Sequence, residues 1–98
     1  MADTVLRLEI RGRVQGVGYR ASMAEQAWRL GIRGWVRNRH DGSVEAMVAG
    51  TPQAVEQIVA WARRGPRAAV VSDLRTFAAE GVYGRFEQRP SARAPGEQ

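Results

Sequence analysis

The sequence contains no cysteine, and this absence excludes several kinds of chemistry. Without cysteine there is no disulfide framework, no thiolate nucleophile and no cysteine-ligated metal. Stability must come from packing alone, which suits a reducing compartment. The first seven residues lack the apolar segment of a signal peptide, and no stretch reaches the roughly 18 apolar residues of a membrane span. We therefore expect a cytoplasmic protein with no membrane partner.

Lysine is also absent, and all fifteen basic residues are arginine. A nucleotide P-loop requires a lysine after its glycines, so that motif is excluded. The chain carries a single histidine, His40, and neither paired carboxylates nor a cluster of metal ligands at a recognisable spacing. His40 sits in an Asp-Gly hairpin turn, where an exposed turn role is expected instead of a catalytic one. The sequence therefore predicts no metal site and no cofactor.

Length and charge narrow the possibilities further. The 98 residues are 44% hydrophobic, enough for one compact domain but not for two. We expect this domain over residues 1–89 and a disordered tail over residues 90–98, which have no apolar period. Residues 1–40 carry eight arginines against three acidic residues, a net of +5, and the remainder is neutral. Such a field suggests a phosphate, a nucleic acid or a membrane surface as partner, or only a solvated basic face.

The periodicity of apolar residues predicts five strands and two helices. Alternating patterns indicate strands over residues 4–12, 32–39, 44–49, 69–77 and 85–89. A helical period indicates a first helix over residues 20–30, with Gly31 as its C-terminal cap. A second helix begins after the N-cap Thr51, with Pro52 at its first position, and stops at Gly65-Pro66. The order β-α-β-β-α-β plus a short fifth strand predicts an α+β class protein, a ferredoxin-like α/β sandwich. In this arrangement two helices cover one face of an antiparallel sheet.

The connection between the first strand and the first helix carries the clearest functional signal. Residues 12–18 include three glycines, and the backbone N–H groups at a helix start have no partner within the helix. Such groups converge on an anion, and Arg20 can bind two phosphate oxygens with its planar guanidinium. The alternatives are a loop without ligand and a dinucleotide fingerprint, Gly16-x-Gly18-x-x-Ala21. The fingerprint needs a parallel second strand carrying an acidic residue, whereas this second strand turns back as a hairpin.

Three segments together resemble the acylphosphatase family. They are Gly-Arg-Val-Gln-Gly-Val-Gly-Tyr-Arg at residues 12–20, Gly-Trp-Val-Arg-Asn at 34–38 and Asp-Gly-Ser-Val at 41–44. The resemblance spans roughly residues 4–89, and it implies a metal-independent hydrolase that cleaves acyl phosphates into a carboxylate and inorganic phosphate. Tyr19 stands where phenylalanine is common in the family, and we expect no effect on the site.

The resemblance also implies roles for individual residues. Arg20 would bind the phosphate and Asn38 would orient the attacking water. The phosphate cradle would consist of the backbone N–H groups of Gly16, Val17, Gly18, Tyr19 and Arg20. The implied partners are a small acyl phosphate as substrate and inorganic phosphate as product and inhibitor, with the protein acting as a monomer.

Two other functions remain as alternatives. RNA-recognition domains share the β-α-β-β-α-β order, but they stack bases on aromatic residues of their first and third strands. The outward positions of the first strand here are Val5, Arg7, Glu9 and Arg11, and the third strand has no aromatic residue. A nucleic-acid partner is therefore not expected. The second alternative is a non-catalytic phosphate or carbamoyl-phosphate sensor, because acylphosphatase-like domains also occur within larger hydrogenase-maturation proteins.

Overall fold

The computed structural model describes residues 2–92, in which five strands and two helices alternate as the sequence predicts. The elements are β1 (Thr4–Arg13), α1 (Tyr19–Leu30), β2 (Arg33–Asn38), β3 (Val44–Gly50), α2 (Pro52–Arg64), β4 (Val70–Ala78) and β5 (Glu87–Gln88). Of the tail expected over residues 90–98, residues 93–98 lie outside the described part. No helix in the described part is long and apolar enough to cross a membrane.

The strands form a single sheet in the order β4-β1-β3-β2-β5. The pairs β4-β1, β1-β3 and β3-β2 are antiparallel, as predicted, but β5 lies parallel to β2, so the sheet is mixed. This corrects the expectation of an antiparallel sheet. The chain leaves β4 at the end of the sheet where β2 begins, and it therefore enters the opposite edge in the direction of β2.

The first strand extends one residue further than predicted, and it contains a bulge. Its register with β4 shifts between Arg11 and Gly12, and pairing then continues to Arg13. At Gly12 the φ angle is 126°, and an added Cβ would lie 2.2 Å from the carbonyl oxygen of Val70. Only glycine fits this close approach. The bulge therefore fixes where β1 ends and where the loop begins.

The core lies between the two helices and one face of the sheet. Leu8 and Ile10 of β1 are fully buried, as their period-two spacing predicts. The helices contribute the stripes that the sequence indicates: Met23, Ala27, Val55, Ile58 and Ala62 are buried. Gly31 caps α1 with a φ of 70°, and the Thr51 hydroxyl of the α2 N-cap accepts a bond of 3.2 Å from the Ala54 N–H. Gly31 therefore ends α1 and Thr51 begins α2 for the physical reasons that the sequence predicts.

This topology brings the end of β1 to the end of β2. Both strands are antiparallel to β3 and so run in the same direction. Their carboxyl ends meet at one edge of the sheet, where α1 begins. The glycine-rich loop and Asn38, separated by about twenty positions in sequence, therefore lie at the same edge.

Candidate active site

The loop between β1 and α1 is shaped by two glycines with a left-handed backbone. Gly16 and Gly18 have φ angles of 73° and 78°, in the left-handed region that glycine adopts without strain. Gly18 is the N-cap of α1, and the first helical hydrogen bond runs from the Ser22 N–H to the Gly18 carbonyl at 3.0 Å. Within residues 2–92 no N–H group of residues 16–20 donates to a protein acceptor. These donors, at the positive end of the α1 dipole, form a cradle suited to an anion.

An open pocket of about 120 Å³ lies in front of this loop. It is lined by Val14, Gly16, Gly18, Tyr19, Arg20, Ala21, Asn38 and Gln88. Four elements of the chain thus converge there: the loop, the first turn of α1, the end of β2 and β5. Of the residues predicted for the site, all but Val17 line the pocket, and the Val17 side chain instead packs against the core.

Arg20 occupies the first turn of α1 and is half-buried at the pocket. Five of the eight arginines in residues 1–40 form ion pairs with carboxylates: Arg7, Arg11, Arg33, Arg37 and Arg39. The other three, Arg13, Arg20 and Arg29, have no carboxylate partner in the described part of the chain. Arg13 and Arg20 flank the loop on both sides, whereas Arg29 lies at the far end of α1. Of these three arginines, only Arg20 lines the pocket.

Asn38 is the last residue of β2, opposite the loop. Its side-chain oxygen is buried and accepts no hydrogen bond from residues 2–92. A buried amide oxygen without a donor is costly, so this atom favours a ligand or water that can supply a hydrogen. The backbone around it is well held, because the Asn38 carbonyl accepts a bond of 3.0 Å from the Ala92 N–H.

Tyr19 contributes its backbone to the loop but turns its side chain into the core. The ring is 1% exposed and lies 5.4 Å from the Trp61 ring. Its hydroxyl donates to the Ala62 carbonyl at 2.7 Å, and burial raises the pKa of Tyr19 above its ordinary range. The phenol is therefore held neutral in the core, and Tyr19 can contribute only its backbone N–H to the loop.

Val14, Ala21 and Gln88 line the pocket but are not among the site residues predicted from the sequence. The signal for Gln88 was available in part, because Phe86 is buried and alternation places Gln88 on the same face of β5. The sequence does not show that Gln88 of β5 pairs with Val36 of β2, because the two segments lie about fifty residues apart. His40, in contrast, is exposed in the turn after β2 and does not line the pocket, as its expected turn role implies.

Comparison with known proteins identifies the family. The family model described as Acylphosphatase matches residues 6–87. An acylphosphatase of Albidiferax ferrireducens is 55% identical over 91 residues, which cover 93% of this chain and 99% of that protein. Solved acylphosphatase structures from Coxiella burnetii and Bacillus subtilis superpose with TM-scores of 0.86 and 0.83 at 30% and 31% identity. They cover 90% and 87% of this chain, which in turn covers 94% and 97% of theirs.

This chain belongs to the acylphosphatase family. The resemblance found in residues 12–20, 34–38 and 41–44 is thereby confirmed, and so is the ferredoxin-like α+β fold that its solved relatives share. Acylphosphatases are hydrolases that act on acyl phosphates, so the substrate class is a small molecule with an anionic phosphoryl group. A pocket with unpaired N–H donors and an unpaired arginine matches the charge of such a substrate.

The acylphosphatase sheet also bears on the RNA-binding alternative. Its face away from the helices carries Arg7 and Glu9 on β1, and Glu45 and Met47 on β3. Neither central strand places an aromatic ring on that face, and Glu45 is instead bound by arginines. The stacking surface that an RNA-recognition domain needs on these two strands is therefore missing from the described sheet.

Proposed function

We propose that the chain hydrolyses acyl phosphates by direct attack of a water molecule on the phosphorus. Asn38 positions the water, and Arg20 with the N–H groups of residues 16–20 holds the phosphoryl group. The observation that carries this proposal is the single pocket shared by Arg20, the unpaired loop donors and the unsatisfied Asn38 oxygen. Each of these groups lacks a protein partner in residues 2–92, and together they complement a phosphoryl group with a water beside it.

The leaving group explains why so few groups are needed. An acyl phosphate expels a carboxylate whose conjugate acid has a pKa of about 4, so its departure requires no general acid at neutral pH. The protein then has to neutralise the phosphoryl oxygens and hold one water in line with the bond that breaks. Both tasks are electrostatics and positioning, which the loop, Arg20 and Asn38 supply.

The two side chains have different tasks in this mechanism. The guanidinium of Arg20 offers two parallel N–H donors to the phosphoryl oxygens, and these donors act on substrate and product alike. The Asn38 oxygen accepts a hydrogen from the water, which turns a lone pair of the water towards the phosphorus. Asn38 therefore acts on the attacking water and not on the phosphate.

Inorganic phosphate is the product that leaves this cradle, so we expect it to inhibit by occupying the same donors. We further propose that the protein is a monomer. Because the sequence has no cysteine, we also propose that it acts in the cytoplasm. Binding of phosphate without any hydrolysis would instead support the alternative of a non-catalytic sensor.

The test is hydrolysis of benzoyl phosphate in the presence of a chelator, with phosphate inhibition measured on the same preparations. Asn38→Ala should lower kcat by about 10²- to 10³-fold, the usual cost of one positioned polar group, while phosphate inhibition stays close to wild type. Arg20→Ala should lose both the hydrolysis of benzoyl phosphate and the inhibition by inorganic phosphate. Arg29→Ala is the matched control, because Arg29 is also unpaired in the described chain but lies at the opposite end of α1.

Two results would contradict the mechanism. A folded Asn38→Ala protein with nearly normal kcat would remove Asn38 from the reaction. Strong phosphate inhibition that persists in Arg20→Ala would show that the guanidinium does not hold the phosphoryl group. Circular dichroism on each variant separates these results from a failure to fold.

A further inference from the structure

Gln15 joins the loop to the hairpin that follows Asn38. Its side-chain nitrogen donates two hydrogen bonds of 2.8 Å, one to the Arg39 carbonyl and one to the Ser43 carbonyl. The amide nitrogen has two hydrogens, and both are thereby used. Gln15 immediately precedes Gly16, the first cradle residue, and Arg39 immediately follows Asn38. The bridge therefore connects the two halves of the proposed site one residue away from each.

The two carbonyls that Gln15 binds close the hairpin between β2 and β3. The Arg39 carbonyl also accepts from the Gly42 N–H at 3.1 Å, and the Ser43 carbonyl also accepts from the Arg39 N–H at 2.9 Å. Each keeps a backbone donor if Gln15 is removed, so no buried group is left unsatisfied and the hairpin can persist. The hairpin therefore does not depend on the bridge for its own hydrogen bonds. The main effect of the bridge is to fix the distance between the loop and Asn38.

From this geometry we infer that Gln15 is a positioning residue. It fixes the position of the phosphate cradle relative to Asn38, so that the water lies in line with the phosphorus. The inference rests on the proposed function. Gln15 is half-buried and does not line the pocket, so it acts through the backbone on either side and not on the substrate. A displacement of about 1 Å between reacting groups can cost on the order of 10²-fold in rate.

The test is a double-mutant cycle between Gln15 and Asn38. Gln15→Met keeps the length of the side chain and removes both donors. We expect kcat on benzoyl phosphate to fall by about 10- to 100-fold, since the water is no longer in line. Inhibition by inorganic phosphate should stay close to wild type, because the cradle and Arg20 are intact. In the Asn38→Ala background the same substitution should have almost no further effect on kcat, since there is no positioned water left to misplace.

A second variant and a control make the cycle decisive. Gln15→Glu places a carboxylate against two carbonyls, and kcat should recover partly at acidic pH, where the protonated carboxyl donates to one of them. Gln57→Met, at an exposed position of α2, should leave kcat unchanged.

The possible failures are distinguishable. Normal kcat in Asn38→Ala would overturn the proposed mechanism and this inference with it. Normal kcat in Gln15→Met beside an inactive Asn38→Ala would overturn this inference alone. Losses that multiply in the double variant would also overturn it, and so would a Gln15→Met protein that fails to fold, because Gln15 would then belong to the framework.

Discussion

Tyr19 belongs to the loop through its backbone and to the core through its side chain. Its hydroxyl donates to the Ala62 carbonyl in the last turn of α2. That carbonyl would ordinarily accept from the residue four positions later, but this residue is Pro66, which has no N–H. The tyrosine hydroxyl therefore replaces the missing donor, which a phenylalanine at this position could not do.

We expect Tyr19→Phe to lower the free energy of unfolding by about 1 kcal/mol, or roughly 4–8 °C in Tm for a domain of this size. The buried Ala62 carbonyl loses its donor, while kcat stays nearly unchanged because the Tyr19 N–H remains. Tyr83→Phe is the control, since the Tyr83 hydroxyl donates to the Glu80 carbonyl at 2.8 Å in an exposed position. Thermal unfolding followed by circular dichroism compares the two. Equal losses in both variants would argue against a special role for the Tyr19 bond.

Whether a feature of the strands and helices can be predicted depends on how far apart in sequence the contacting residues lie. The periodicity of apolar residues is a local signal, and it predicted all five strands and both helices. The bulge at Gly12 and the parallel direction of β5 depend on contacts between distant segments, Gly12 with Val70 and β5 with β2. No local pattern contains such contacts, so the end of β1 and the orientation of β5 were missed.

The candidate site divides in the same way. The cradle and Arg20 were predictable because they lie in one short segment whose glycines and helix start specify an anion site. Asn38 was assigned through the family resemblance, and the shared direction of β1 and β2 is what brings it to the loop. Gln88 and the bridge from Gln15 depend on how the chain returns to this edge. Their functional positions could only be found in the folded molecule.

The segment after β5 continues to pair beyond Arg89, where the sequence predicts the domain to end. Ala92 donates its N–H to the Asn38 carbonyl at 3.0 Å and accepts from the His40 N–H at 2.9 Å. The chain therefore runs beside the residue that we propose positions the water. Residues 90–92 extend the edge of the sheet at the site.

This pairing predicts different outcomes for two truncations. A chain that ends after Ala92 keeps every described hydrogen bond and should match the full chain in Tm and kcat. A chain that ends after Arg89 loses both bonds of Ala92, at about 0.5–1.5 kcal/mol each, and frees the backbone of Asn38. We expect a lower Tm and a lower kcat for this shorter chain, measured by thermal unfolding and benzoyl phosphate hydrolysis. Full activity in the shorter chain would show that Asn38 needs no support from Ala92.

Across β1, β2 and β3, three arginines and two glutamates form a single cluster of ion pairs. This Glu45 cluster comprises Arg7, Glu9, Arg37, Arg39 and Glu45, on the face of the sheet away from the helices. The Glu45 carboxylate contacts Arg37 at 2.7 Å, Arg7 at 3.3 Å and also Arg39, whose side chain is 2% exposed. Arg39 binds Glu9 as well, at 3.3 Å. Because Arg39 follows Asn38, the cluster anchors the backbone of β2 from the face opposite the pocket.

The Glu45 cluster should make stability depend on acid pH. Burial acts to raise the pKa of Glu45, but the hydrogen bonds and charges of Arg39 and Arg37 outweigh burial and leave this pKa below its ordinary value. The carboxylate binds its proton less tightly in the folded than in the unfolded chain. Its contribution to stability is therefore fully present above the ordinary pKa of about 4.3, and it is lost as the pH falls through the lower pKa of the folded state.

Glu45→Gln should therefore cost roughly 3 kcal/mol at neutral pH, because Arg39 loses its main counter-charge while it remains buried. The loss should shrink as the pH falls below about 4.3, where Glu45 of the unfolded wild-type chain begins to bind a proton, and it should vanish below the lower pKa of the folded state. Urea unfolding of both proteins between acid and neutral pH measures the two curves, which we expect to converge at the acid end. Glu56→Gln is the control, since Glu56 is exposed on α2 and forms no ion pair within residues 2–92. A difference between wild type and Glu45→Gln that is the same at every pH would mean that Glu45 stabilises the sheet through packing and not through its charge.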